Sequence, residues 1–172
     1  RGKKIMVDEN TNEPLIKISP VPLNAGEQTF VRHIREYYDE HKDDQFAGKE
    51  VYLLRNESRK GIGFFEANNF YPDFILWVND GERQRVSFID PKGIRNLHGF
   101  DDPKIQLYKL LKTEIEPKLG DPDIVLDSFI ISNTPYEEVS FWNPVADKSV
   151  FRKNHIVFQM DEDYIGELLG MI

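Results

Sequence analysis

Three side chains between Tyr71 and Gly93 have the types and spacing to hold a hard cation against a phosphate ester: Asp73, Asp90 and Lys92. Asp73 heads the apolar run Phe74-Ile75-Leu76-Trp77-Val78, and Asp90 and Lys92 close the run that begins Val86-Ser87-Phe88-Ile89. Runs so rich in aromatic and branched residues predict strands covered on both faces, where a carboxylate is costly without a partner. The turn signals in Asn79-Asp80-Gly81-Glu82-Arg83 predict that the two runs pair antiparallel. A two-residue turn at Asp80-Gly81 sets Asp73 opposite Phe88, and turns centred further along set it opposite Asp90 or Lys92. All three registers leave Asp73, Asp90 and Lys92 on one face, because residues two apart on a strand share a side. In the middle register the carboxylates oppose each other with Cβ atoms about 5 Å apart. Like charges so placed call for something positive between them, and two oxygen ligands without cysteine or histidine suit Mg²⁺ or Mn²⁺. Pro91 biases Asp90 to an extended backbone and marks a strand end or edge.

Around this hairpin the chain predicts the elements that must position it. Asn24-Ala25-Gly26-Glu27 starts a helix that carries Phe30, Val31, Ile34, Tyr37 and Tyr38 at helical spacing and runs to about Asp43. At about 100° per residue Glu27 shares a stripe with Val31, Ile34 and Tyr38 and points toward the sheet, whereas Glu36 points to water. Glu27 also sits at the third helical position, where it can close a capping box with Asn24. Glu50 to Asn56 reads as a strand, and Gly61-Ile62-Gly63-Phe64-Phe65-Glu66 as the start of another, with Arg55, Arg59 and Lys60 at the turn between them. Asp102 caps a helix that opens at Pro103, buries Ile105, Tyr108, Leu111 and Ile115, and ends before Pro117. Ile124 to Ser132 reads as a central strand and His155 to Met160 as a last strand. Asp161 to Ile172 reads as a short amphipathic helix, and residues 136–154 show no periodicity and read as loop. Helix, strands, helix, two strands and helix add up to an α/β fold on a mixed sheet flanked by helices.

Pro72-Asp73 followed by Asp90-Pro91-Lys92 resembles the signature of the PD-(D/E)xK nuclease superfamily. The wider text resembles the C-terminal endonuclease domain of type III restriction enzyme Res subunits. Val51-Tyr52-Leu53-Leu54-Arg55-Asn56, Gly61-Ile62-Gly63-Phe64-Phe65, Phe70 to Trp77 and Phe88 to Gly93 carry that likeness, about a quarter of the chain. The resemblance implies a restriction-endonuclease-like core and an Mg²⁺- or Mn²⁺-dependent endonuclease acting on double-stranded DNA. It implies Asp73, Asp90 and the Pro91 carbonyl as metal ligands, Lys92 as the catalytic cation, and Glu27 as the helix-borne acid of the same site. It further implies a polar or basic residue on the second helix, for which Gln106 and Lys109 are the candidates; Arg55 and Arg95 flank the site and are expected on the substrate side. By the same resemblance, residues 24–172 form the cleavage module, and residues 1–23, with Leu15-Ile16-Lys17-Ile18 as a short strand, lead in from an upstream superfamily-two helicase domain that works with a methyltransferase subunit.

The composition bounds these expectations. At 172 residues with 40% hydrophobic and 12% aromatic content, the chain is long and apolar enough for one cored domain. No apolar run approaches the roughly 20 residues of a membrane span, and no secretory signal is visible, so a cytoplasmic setting is expected. The chain has no cysteine, which excludes disulfides and thiolate metal sites. Its net charge of −8 disfavours a general nucleic-acid coat and predicts weak DNA affinity for the chain alone. No phosphate-binding loop of the motor type is present, so a motor would have to lie outside it. The competing readings are a catalytically inactive nuclease-fold module that binds DNA or protein, and an Mg²⁺ enzyme acting on small phosphate esters.

Overall fold

The computed structural model describes residues 22–141 and 146–172. The expected strand at Leu15-Ile18 lies outside them. Five strands, β1 (Glu50–Arg55), β2 (Phe74–Asn79), β3 (Gln84–Lys92), β4 (Ile124–Ser132) and β5 (Ile156–Phe158), form one sheet in sequence order. β1, β2 and β3 run antiparallel as a meander, and β4 and β5 add parallel to β3 and to each other. The sheet is therefore mixed, as expected.

Helices cover both faces because the strands alternate two apolar sets. Phe74, Leu76, Val78, Ile89, Phe129 and Ile131 pack with Phe30 and Ile34 of α1 (Ala25–His41) and with Tyr164, Ile165 and Leu168 of α5 (Tyr164–Leu169). Ile75, Phe88, Leu126 and Ile130 face the other way, against Ile105, Leu107 and Leu111 of the second helical segment and Phe151 of α4 (Lys148–Lys153). The tight turn between β2 and β3 is held by Asp80, whose Oδ1 accepts from the backbone N–H of Glu82 and Arg83 at 3.0 and 2.7 Å. Its Oδ2 pairs with Arg85 at 2.5 Å, which holds the Asp80 carboxyl below its ordinary range.

Three expectations need correction. Gly61 to Glu66 is not a strand: Phe64 makes a single antiparallel bridge to Phe70 inside a loop, whose buried anchors are Phe64, Ala67 and Phe70. Three short anchors at this spacing do not give the period of two that a strand needs. Residues 136–154 are not all loop, since Tyr136–Phe141 forms a 3₁₀ segment and Lys148–Lys153 is α4, capped by Asp147 through Ser149 and Val150 N–H. The second helix does not stop before Pro117. Asp102 does cap its lead-in, but regular α-helix begins later, at α2 (Leu107–Leu110). A π-turn over Leu111–Ile115 then leads into α3 (Glu116–Leu119), with Pro117 in its first turn and Gly120 in the left-handed region ending it. Proline cannot donate to the carbonyl four residues back. The wider π-turn closes instead through Glu116 N–H to the Leu111 carbonyl, which lets the helix pass the proline.

Phe30 is fully buried and its ring lies 5.5 Å from that of Phe74, the first residue of β2. Phe30→Ala is expected to cost roughly 3–5 kcal/mol, read as a lowered urea midpoint at unchanged m-value.

Candidate active site

Extending the β2–β3 register one position beyond Phe74↔Ile89 sets Asp73 across from Asp90, the middle of the three registers the sequence allowed. The position of Asp73 is fixed from behind. Asn56 N–H donates to the Asp73 carbonyl at 2.8 Å, and its side-chain amide donates to the carbonyls of Pro72 and Ile62, each at 2.8 Å. Asn56 Oδ1 accepts from Ile62 N–H, so one side chain ties the end of β1 to both the loop and the strand that carries Asp73. Gly63 has to be glycine because a Cβ there would overlap the Tyr71 ring.

Asp90 is buried, and its Oδ2 pairs with Lys92 Nζ, two residues along the same face of β3. That oxygen makes no other hydrogen bond among the described residues. Burial pushes the Asp73 carboxyl up to about 8, helped by a hydrogen bond to Asp90 and by the charges of Asp90 and Glu27, and opposed by Lys92. Without a bound cation these causes favour the protonated form of Asp73. The Lys92 ammonium offsets the charge of the buried Asp90 and the half-buried Asp73.

Glu27 acts on Asp73 through its charge, while its carboxylate is bonded to the helix end. The capping box is formed: Asn24 Oδ1 accepts from Glu27 N–H at 2.9 Å, and Glu27 Oε2 accepts from Asn24 N–H at 3.2 Å. The helix end is pinned to the sheet at Gly26, whose carbonyl accepts from Gln159 Nε2 at 2.9 Å and where an added Cβ would come within 2.7 Å of Asn133 Nδ2. Asn133 N–H in turn donates to the Lys92 carbonyl at 3.0 Å. The N-terminus of α1 and the ends of β3, β4 and β5 thus meet beside Lys92.

Asp73, Asp90, Pro91 and Lys92 line a cleft of about 470 Å³ whose other walls include Asn24, Ser58, Asn68, Asn69, Phe70, Tyr71, Lys104 and Asn133. The remaining expected residues lie elsewhere. Gln106 donates to the Phe100 carbonyl at 2.6 Å, the exposed Lys109 sits 5.6 Å over the Tyr108 ring, and Arg95 pairs with Glu138 at 2.5 Å. Arg55 ends β1, exposed, opposite Phe74. None of the four lines the cleft. Lys104 and the Asn68-Asn69 pair do, and the sequence reading passed over them. Asn68 and Asn69 have φ of 56° and 54°, a conformation that asparagine tolerates better than most residues, so Ala67-Asn68-Asn69 was legible as a turn but not as a wall. Lys104 precedes the regular helix, outside the helical face on which a basic residue is expected.

Among the described residues, no group of three or more histidine, aspartate or glutamate side chains is arranged to hold a metal ion. Nor is any helix long and apolar enough to cross a membrane. No protein-family model, curated protein or solved structure matches the chain.

The raised pKa of Asp73 has a signed consequence. Its folded value of about 8 lies above the ordinary 3.8, so the folded state holds more protons in between. Stability from this group is present below about pH 4 and is lost as pH rises through about 8. Metal-free protein is expected to melt at progressively lower temperature from pH 5 to pH 9, and Asp73→Asn to flatten that slope, read by thermal denaturation.

Proposed function

We propose that the chain is a metal-dependent endonuclease domain that hydrolyses DNA phosphodiester bonds, built on a restriction-endonuclease-like core. The observation that carries this reading is the convergence of two opposed carboxylates and an ammonium at the mouth of an open, polar cleft. A purely structural ion pair needs one acid and one base; here a second acid is held beside them at the cost of a raised pKa.

The donor set fits a hard divalent cation, Mg²⁺ or Mn²⁺. Asp90 is buried with its Oδ2 on Lys92, and Pro91 stands between the two along β3 and lines the same cleft as Asp73. Two carboxylates without a third suit Mg²⁺, which keeps several waters and shares its shell with substrate phosphate. Such an ion supplies polarisation of a phosphoryl oxygen and a bound water of lowered pKa. Asp73 and Asp90 would hold such an ion, both as carboxylates. Lys92 places positive charge where the attacked phosphate gathers negative charge. Its ammonium lies 4.9 Å over the Phe70 ring and within reach of Asp90, two contacts that fix it without removing it from the cleft. Glu27, already bonded to the helix end, adds negative field that favours cation binding. Double-stranded DNA is the substrate under this reading, and a helicase domain and a methyltransferase subunit are its natural associates.

Supercoiled plasmid incubated with Mn²⁺ tests this directly. The chain is expected to nick it slowly, and Asp73→Ala, Asp90→Ala and Lys92→Ala each to lower the rate by about a hundredfold or more. Calorimetry should show Mn²⁺ binding to the native chain with proton release at pH 7, and none to Asp90→Ala. An inert native chain that binds no Mn²⁺ would sink the proposal in favour of an inactive module. Hydrolysis of a phosphate monoester with no nicking would instead favour a small-ester enzyme.

A further inference from the structure

The cleft holds a second cation that the catalytic reading does not use. Lys104 Nζ stands 5.7 Å over the Phe70 ring, the same ring that carries Lys92 at 4.9 Å. Phe70 is buried and bridged to Phe64 through reciprocal backbone hydrogen bonds of 2.8 and 3.1 Å, and Phe64 packs edge-on against Phe88 at 4.9 Å. The ring is therefore a fixed shelf, and it sets two ammonium groups along one wall. Lys92 is paired with Asp90; Lys104 is half-buried, with the ring as its partner on the cleft wall. A cation held against an aromatic ring keeps its charge and its N–H donors available to an anion.

The cleft that Lys104 lines holds Asp73, Asp90 and Lys92 and also has neutral polar walls. Asn68, Asn69, Ser58 and Asn133 offer amide and hydroxyl donors without the negative charge that would repel a phosphate. Asn68 and Asn69 hold two consecutive left-handed backbone conformations, anchored by Ala67 and Phe70 on either side, both buried. Asparagine in this conformation costs less than most residues but is not free, and a pair of them facing a cleft is a usual mark of a functional loop.

We infer that Lys104, with the Asn68-Asn69 turn, forms a second phosphate subsite that grips a phosphate neighbouring the scissile one in a nucleic-acid strand. This rests on the nuclease reading and narrows it: the substrate must be a polymer or oligomer with at least two phosphates, since a lone phosphate at the carboxylate pair would leave Lys104 unused. Lys104 acts in binding and has no part in the chemistry at the Asp73–Asp90 pair.

The test is fluorescence anisotropy of a labelled DNA duplex across a salt series, with Ca²⁺ replacing Mn²⁺ to hold back cleavage. Native chain, Lys104→Ala and Lys104→Arg are compared, and Mn²⁺ plasmid nicking is measured beside them. Lys104→Ala is expected to bind about tenfold more weakly, with the slope of log K against log salt shallower by about 0.9, the loss of one phosphate contact. Lys104→Arg is expected to restore the slope, and a mononucleotide 5′-phosphate to bind both variants as it binds the native chain. Unchanged slope and affinity in Lys104→Ala with native nicking would overturn the subsite and leave the nuclease standing. A shallower slope in a chain that never nicks would keep the subsite and sink the nuclease. Equal loss of the mononucleotide would place Lys104 at the scissile phosphate and overturn the subsite, and absence of DNA binding by the native chain would overturn both.

Discussion

Two carboxylates forced together across a pair of β-strands are the constraint that the rest of this molecule accommodates. Opposed acids in a sheet repel, and burial makes the repulsion stronger. The fold answers with Lys92 on the same face and with a raised proton affinity at Asp73. Neither relief is permanent. A proton with an affinity near neutrality leaves easily, and an ammonium two residues away can turn to a new anion. The apparatus around the pair is correspondingly rigid: Asn56 clamps the backbone on one side, and Asn133 and Gln159 lock the helix end on the other.

Much of this was legible in the residues alone. Unbroken apolar runs gave the strands of the hairpin, and Asn24 with Glu27 gave the helix start and its capping box. The face shared by Asp73, Asp90 and Lys92 followed from the period of two, whatever the register. The register itself was not legible. A two-residue turn, the commonest hairpin signal in Asp80-Gly81, would have offset the acids, and only the longer turn that Asp80 caps through Glu82 and Arg83 brings them opposite.

What escaped the sequence was assembled by tertiary packing. Phe64 and Phe70 look like strand residues and are loop anchors, because a single bridge and a buried Ala67 suffice to fold the segment over the cleft. Pro117 reads as a helix stop, yet the π-turn before it absorbs the missing donor. Lys104 has no local mark in the sequence that separates it from any other lysine. Only the placement of Phe70 beneath it shows that it faces the same space as Lys92.

The site gathers at the carboxyl ends of the three parallel strands, with Asp90 and Lys92 ending β3, Asn133 following β4 and Gln159 following β5. The opposite rim of the sheet, made by the exposed turn at Gly81 to Arg83 and the connection at Asp121 to Asp123, takes no part in it. Lineages could therefore lengthen, shorten or graft onto that rim while leaving the reactive edge untouched, so the two borders of one sheet are free to evolve at different speeds.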